Sequence, residues 1–426
     1  MVVTLLAGRA AFRGAIVLSA PLLLAAWGPE TFGPYALAMG STLVLNPLVG
    51  SGTEKSAGTV IPRYRGPAAD RLLTAHLLTA GTITGGCLLL ATVFAVVDPR
   101  MAGLWLLAGA TNVAFGVVQA LVAYWRVLGT PIADPASFGV LAVVTAGGIA
   151  LAAFAGAGPT VYLALQAGSA GAVSAALVLG LRRRLRRPRG RTVRLVTRTT
   201  LLMGANTLLA TAPFSVVIAV LGGQSDPDTV SNVYVAVTAY SIVGNVLDYL
   251  QRVYQPWLTT ALRSDPDRIR GPFRRTVRLG RNLLAPAGVL AVFATGWAFD
   301  PSIASLAGMA AVAPMLIAVA LVIWALENTA TAMLGATTRA GTVGLASTAA
   351  TAIVLVRPFG ATGALLALLV GAAVQLALLP DLSTRRKFLG LDLRRPKVQA
   401  PGQHSKVPPT GGDARVSRHP EPSDIR

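Results

Sequence analysis

The sequence predicts an all-α integral membrane protein of about 12 transmembrane helices, arranged as two six-helix lobes related by a parallel pseudo-two-fold repeat. Three observations carry that expectation. The 426 residues are 54% hydrophobic and only 13% charged, with a mean hydropathy of +0.62, whereas soluble domains carry charge on about a quarter of their residues. Twelve apolar runs approach the roughly 20 residues that cross a bilayer, and with their short connections they leave no room for a sizeable soluble domain. Positive charge alternates with these runs. With the N-terminus inside, 35 of the 37 Lys and Arg fall in inner loops and tails, and the outer connections keep only Arg100 and Arg357. The positive-inside rule orients the chain accordingly, multi-pass in the cell (plasma) membrane with both termini cytoplasmic.

The expected spans are 10–27, 35–57, 73–97, 103–125, 136–155, 160–180, 199–222, 230–251, 283–298, 310–334, 341–356 and 361–380. The first, with Arg9 and Arg13 ahead of an apolar run to Trp27, resembles a signal peptide. With eleven spans behind it, it reads as an uncleaved helix. Outer connections are short and acidic or neutral, such as Gly28–Pro34 and Gly223–Asp228, whereas inner ones are longer and basic. The arginine-rich stretch 181–198 divides an N-terminal lobe, 1–180, from a C-terminal lobe, 199–394. The lobes echo each other weakly. Thr4-Leu5-Leu6-Ala7-Gly8 reads like Thr200-Leu201-Leu202-Met203-Gly204, and Tyr35-Ala36-Leu37-Ala38 like Tyr234-Val235-Ala236-Val237. With six helices per lobe, both lobes enter the membrane in the same direction, so the repeat is parallel. Pro21, Pro47, Pro213, Pro286 and Pro314 fall inside spans, where kinks are expected. Residues 395–426 are polar and rich in Pro and Gly, a composition that reads as a disordered cytoplasmic tail.

Several functions are disfavoured. A net charge of +20 suggests nucleic acid, but the charge lies in loops that face anionic cytoplasmic lipid, so no nucleic-acid partner is expected. Cys87 is the only cysteine, and of the three histidines His404 and His419 lie in the tail beyond His76, so neither a disulfide nor a metal site is expected. No Gly-rich loop followed by Lys-Ser/Thr marks an ATP motor, and no paired-carboxylate cluster sits in a cytoplasmic loop. The chain does not read as an enzyme, and no cofactor is expected beyond possible coupling to a proton or sodium gradient.

Polar residues inside apolar spans are the candidate functional positions, because an ionisable group at membrane depth costs several kcal/mol unless it meets a cavity or a partner. The second span carries Asn46, Gly50 and Glu54 on one face, followed by Lys55. The fourth carries Asn112, Gln119 and Arg126 in one stripe. The eighth carries Asn245, Asp248 and Arg252, with Asp248 and Arg252 four apart and able to pair. The tenth carries Glu327, and the first carries Arg9 and Arg13 a turn apart. Facing inward, these stripes would line a hydrophilic cavity of both charge signs. Arginines there suit a phosphate or pyrophosphate, and carboxylates suit a proton or sodium ion. The competing reading is that Glu54, Lys55, Arg126 and Arg252 simply snorkel from helix ends to the interface.

Three segments carry a resemblance. They are Phe32-Gly33-Pro34-Tyr35-Ala36-Leu37-Ala38 opening the second span, Gly50-Ser51-Gly52-Thr53-Glu54-Lys55 closing it, and Leu247-Asp248-Tyr249-Leu250-Gln251-Arg252-Val253-Tyr254-Gln255-Pro256 ending the eighth. Together with the twelve-span layout over roughly residues 1–385, they resemble the polysaccharide-exporter, or lipid-linked oligosaccharide flippase, branch of the multidrug/oligosaccharidyl-lipid/polysaccharide (MOP) flippase superfamily. The resemblance implies alternating access between two lobes that turns a polyprenyl-(pyro)phosphate-linked oligosaccharide from the inner to the outer leaflet, for cell-surface polysaccharide biosynthesis. It also implies membrane lipids and a lipid-linked glycan as partners, with a glycan polymerase or glycosyltransferases as further ones.

Arg13, Asn46, Glu54, Asn112, Gln119, Asn245 and Arg252 are the candidates for the head group and cavity, and Asp248 and Glu327 for cation coupling. Two alternatives stay open: a cation-coupled multidrug antiporter of the same superfamily, and a non-transporting membrane enzyme or scaffold of envelope synthesis.

Overall fold

The computed structural model describes residues 2–64, 66–235, 237–238 and 331–378. The stretch 239–330, the tail 395–426, and with them Asn245, Asp248, Arg252 and Glu327, lie outside the described residues. Among the described residues every regular element is a helix: α1 (Val2–Thr42), α2 (Leu45–Val60), α3 (Pro67–Val97), α4 (Ala102–Val127), α5 (Ala133–Ala155), α6 (Pro159–Leu181), α7 (Gly190–Gln224), α8 (described over 227–235) and α9 (Thr331–Leu378), with short 3-10 turns between some of them. Seven stretches of these are long and apolar enough to cross a membrane.

Two of the seven are too long for a single crossing. Gly8–Val60 runs for 53 residues, about 80 Å of helix at 1.5 Å per residue against a hydrocarbon core of about 30 Å. The chain turns back at Gly28, whose φ of 69° and ψ of 166° lie outside the helical region and suit a residue without Cβ. The reversal shows in its contacts: Trp27 packs on Tyr35 at one end, while Arg9 reaches Glu54 at the other. Thr338–Gln375 turns back in the same way at Gly360 (φ 50°), so that the backbones at Gly344 and Gly371 meet.

The proline expectations divide. Pro21 and Pro213 sit within continuous helix. At Pro47 the helix does break. Proline offers no N–H to the Leu43 carbonyl, which accepts the Asn46 N–H instead (3.2 Å). The Gly40 carbonyl is taken by the Leu43 N–H (3.3 Å), and the Val44 N–H is satisfied from α7 by Ser215 Oγ (3.2 Å). The boundary of the basic connection also moves. Helix α7 begins at Gly190, inside the expected loop 181–198. Val193 and Val196 bury against Leu72, Leu73 and Leu181, while Arg191 and Arg194 lie on the outer side, so the amphipathic pattern carries the helix past the apolar span.

Contacts fix the directions of the helices. Gly8 meets Pro135 and Trp27 Nε1 donates to the Ala157 carbonyl (2.8 Å), so the first half of α1 runs parallel to α5. Thr42 meets Asn112 and Glu54 meets Arg126, so α2 runs parallel to α4. Thr111 contacts Leu163 and Trp125 contacts Leu177, which sets α6 parallel to α4. The bundle therefore has two distinct ends. One gathers Arg9, Arg71, Arg126 and the arginines of 182–194. The other gathers Glu30, Asp98, Asp226, Asp228 and a group of aromatic rings around Tyr35.

Helix α4 is the axle of the first six crossings. It touches α1, α2, α3, α5 and α6, and 72% of its apolar window is buried. Its approach to α2 depends on glycine. A Cβ on Gly116 would lie 2.6 Å from the Asn46 carbonyl oxygen, and one on Gly50 would lie 2.8 Å from Gln119 Oε1. Small residues allow such backbone approach between membrane helices. Gly116→Val is therefore expected to force α2 from α4 and to cost about 1–3 kcal/mol, read as a lower melting temperature of the purified protein in detergent. An unchanged melting curve would refute the tight crossing.

Candidate functional site

The polar stripes expected on the second and fourth spans face each other. Asn112 Nδ2 donates to Thr42 Oγ1 (3.0 Å) and to the Met39 carbonyl (3.3 Å), bracing the chain just before the break at Leu43. Gln119 is buried beside Gly50, and Asn46 is partly buried where its carbonyl meets Gly116. The seam ends at Glu54 and Arg126. Arg13 is partly buried one turn along α1 from Arg9.

At the basic end the seam opens into a ring of four charges. Arg9 Nε donates to Asp134 Oδ1 (2.7 Å), and Arg9 Nη2 donates to Glu54 Oε1 (3.3 Å). Arg126 Nη1 donates to the same Glu54 oxygen (3.3 Å), and Arg126 Nη2 donates to Asp134 Oδ2. Signs alternate around the ring, and its members come from α1, α2, α4 and α5. The carboxylates are the buried partners, with side chains 6% exposed for Glu54 and 3% for Asp134, against 34% for Arg126. Each carboxylate is held by two guanidiniums, whose forked donors suit this bridging.

Local structure explains how the ring closes. Arg126 lies in the last turn of α4 and Asp134 in the first turn of α5, each on the side its helix dipole favours. Between them α4 ends in a glycine-capped turn. Gly129 takes a φ of 86° and donates to the Arg126 carbonyl (3.1 Å), and Thr130 donates to the Trp125 carbonyl (3.0 Å). That pair of bonds satisfies the last carbonyls of the helix and turns the chain sharply, so side chains eight residues apart meet. From the other side, Gly8 lets α1 approach so closely that a Cβ would lie 2.5 Å from Pro135 Cα. Phe138 then lies under the Arg9 guanidinium, 4.8 Å from ring centroid to Cζ, and Phe12 and Phe115 complete an apolar floor.

Asp134 was not among the positions singled out by periodicity, because it lies in a connection between spans. The available signal was an acid on the basic side, eight residues beyond an arginine. Arg9 was visible as a helical neighbour of Arg13, but its partners were not.

Two further polar contacts reach α7 from the first six crossings. Lys55 Nζ donates to Thr207 Oγ1 (3.0 Å), and the Thr79 and Thr197 hydroxyls pair at 3.0 Å. Nearby, His76 is fully buried. With its Nδ1–H donating to the Leu72 carbonyl (2.9 Å), its Nε2 is left to accept from Ser56 Oγ (3.0 Å), a neutral and satisfied histidine.

Truncating one member of a buried ion pair strands its partner and costs about 3–5 kcal/mol. Asp134→Ala should approach that figure. Arg126→Ala should cost less, because its side chain already reaches solvent and Arg9 still holds both carboxylates. The double variant Arg126→Ala/Asp134→Ala should be more stable than the sum of the single losses predicts. Thermal unfolding of the three proteins in detergent measures this, and strict additivity would refute the coupled ring.

No protein-family model and no curated protein sequence matches the chain. Solved structures match its fold. An inward-facing multidrug resistance MATE family transporter of the MOP superfamily aligns with a TM-score of 0.63 at 12% identity, covering 90% of this chain and 96% of that one. The lipid II flippase MurJ in an inward closed conformation aligns with a TM-score of 0.61 at 10% identity, covering 88% of this chain and 86% of that one. An outward-facing MATE family transporter aligns with a TM-score of 0.54 at 14% identity, covering 88% and 92% respectively. The fold of the chain is similar to that of these MOP superfamily structures.

Proposed function

We propose that the chain is a secondary transporter that flips a polyprenyl-(pyro)phosphate-linked oligosaccharide from the inner to the outer leaflet by alternating access. The observation that carries this reading is the charge balance at the basic end. Four cationic side chains, Arg9, Arg13, Lys55 and Arg126, accompany two carboxylates, Glu54 and Asp134, at the ends of packed apolar helices. The carboxylates are each gripped twice by Arg9 and Arg126. The local excess of positive charge is complementary to an anionic head group, and guanidiniums match phosphate oxygens in fork geometry. A drug exporter for organic cations calls for the opposite sign.

In this reading Arg13, with Arg252 of the eighth span, meets the pyrophosphate. Asn46, Asn112, Gln119 and Asn245 support the cavity wall, and Glu54 positions the arginines. Asp248 and Glu327 couple a proton or sodium gradient. The protein lies in the plasma membrane with the basic end cytoplasmic, and it acts beside glycosyltransferases or a glycan polymerase of surface-polysaccharide synthesis. The fold is shared with multidrug exporters, so the antiporter is the reading to exclude.

The test is flipping of a fluorescent lipid-linked oligosaccharide in proteoliposomes. Arg13→Ala should slow flipping by roughly tenfold, the loss of one charge-assisted contact, while inserting normally. Flipping at the native rate would remove Arg13 from the head-group site. Gradient-driven efflux of a cationic dye with no lipid flipping would favour the antiporter. Glu327→Gln should weaken dependence on the ion gradient, and unchanged dependence would make Glu327 structural.

A further inference from the structure

Apolar contact between α1–α6 and the helices after them is more extensive at the aromatic end than at the basic end. The apolar clusters around Phe12, toward the basic end, and around Cys87, midway along the bundle, draw only on the first six crossings. The cluster around Leu73 reaches α7 only through Val193 and Val196. Described contacts from α2 and α3 to α7 there include the two hydroxyl bonds, Lys55–Thr207 and Thr79–Thr197, and a close backbone approach in which a Cβ on Gly52 would lie 2.5 Å from the Thr200 carbonyl oxygen.

At the aromatic end a single apolar cluster runs through both halves. It joins Phe32, Tyr35 and Tyr162 to Val230, Val233 and Leu368. The centre of that joint is tight. Phe32 and Tyr234 rings lie 5.9 Å apart, edge to face, and Tyr35 and Tyr234 lie 6.1 Å apart. Between them, a Cβ on Gly33 would fall 2.7 Å from Pro227 Cβ and 2.9 Å from Pro227 Cα. No side chain larger than hydrogen fits there with both backbones in place.

We propose that Phe32-Gly33-Pro34-Tyr35 and the opening turns of α8, Pro227 to Tyr234, form a two-sided plug that closes the outer end, and that parting this plug is the step that opens the chain outward. The placement explains why a glycine stands between two aromatic residues at the head of a span. Phe32 and Tyr35 supply apolar area that excludes water, and Gly33 lets the two backbones come close enough for those rings to meet Tyr234. Gly28 and Gly360, both at positive φ, place the chain reversals at this same end. The side chains packed in the joint, Phe32, Tyr35, Val230, Val233 and Tyr234, are neutral, and the acids beside them, Asp226 and Asp228, are exposed, so parting the plug uncovers no buried charge.

The proposal rests on the transport reading, but its main test needs no substrate. Ala36 directly follows Tyr35, on the inward side of the plug, and is fully buried. In a Cys87→Ser background, Ala36→Cys reports outer access through labelling by a membrane-impermeant maleimide. Adding Gly33→Leu should hold the plug apart and raise the labelling rate roughly tenfold. An unchanged rate in a folded, monodisperse protein overturns the proposal.

Separately, Phe32→Cys/Tyr234→Cys bridged by a short bifunctional methanethiosulfonate should stop flipping, and reduction should restore it. Full flipping by the bridged protein overturns the plug while leaving the flippase reading intact. Faster labelling in a protein that flips no lipid-linked sugar sustains the plug and removes the substrate reading instead.

Discussion

Glu54 and Asp134 are two carboxylates buried at the ends of apolar helices, and the fold around them brings two guanidiniums to each. Burying an ionised carboxylate without a partner costs more than a small membrane bundle can recover elsewhere. The ring with Arg9 and Arg126 meets that cost by giving each acid two guanidiniums. Because the four side chains come from four helices, meeting the electrostatic requirement also sets the register of all four. A one-residue rotation of α1 or α2 would aim Arg9 or Glu54 away from the ring. In a bilayer, where helix association has no strong hydrophobic drive, such a contact specifies an arrangement that packing alone leaves loosely defined.

The glycines belong to the same constraint. Short side-chain bridges such as Arg9–Asp134 need the backbones that carry them to lie close, and Gly8 provides this at α5 while Gly50 and Gly116 provide it where α2 crosses α4. Asn112 and Thr42 continue the seam to the break at Leu43, where proline has removed a helical hydrogen bond. Polar residues along α2 and α4 therefore answer one another. Asn112 pairs with Thr42 and the Met39 carbonyl, and Arg126 with Glu54, groups that would otherwise be unpaired in an apolar surrounding.

Much of this was legible in the sequence. Apolar run length and the alternation of arginine-rich connections point to the helical membrane class, and the stripes Asn46–Gly50–Glu54 and Asn112–Gln119–Arg126 lie where α2 and α4 pack together. Periodicity shows that a face is polar; it does not say what lies opposite. A cavity wall and a helix seam therefore read alike until the partner helix is in place. Asp134 escaped for a related reason, since its importance comes from Gly129 folding the chain back onto Arg126, a three-dimensional consequence of one positive φ. The end of the basic connection was misplaced because hydropathy marks where the membrane ends and not where the helix ends. Val193 and Val196 continue the helix through arginine-rich sequence.

On the transport reading proposed above, the asymmetry between the ends has an energetic meaning. A transporter that visits two closed arrangements needs them to lie within a few kcal/mol, or one would never be populated. Hydrogen bonds such as Lys55–Thr207 and Thr79–Thr197 exchange with water at a net cost of about 0.5–1.5 kcal/mol each, because water replaces the lost partner. An apolar joint has no such substitute, and its loss scales with the area exposed. The ionic ring, which would be far costlier to open, lies wholly within the first six crossings. The ion-pair ring thus ties α1, α2, α4 and α5 to one another, whereas α7 is joined to them by apolar packing, hydroxyl bonds and the close approach of Gly52 to Thr200.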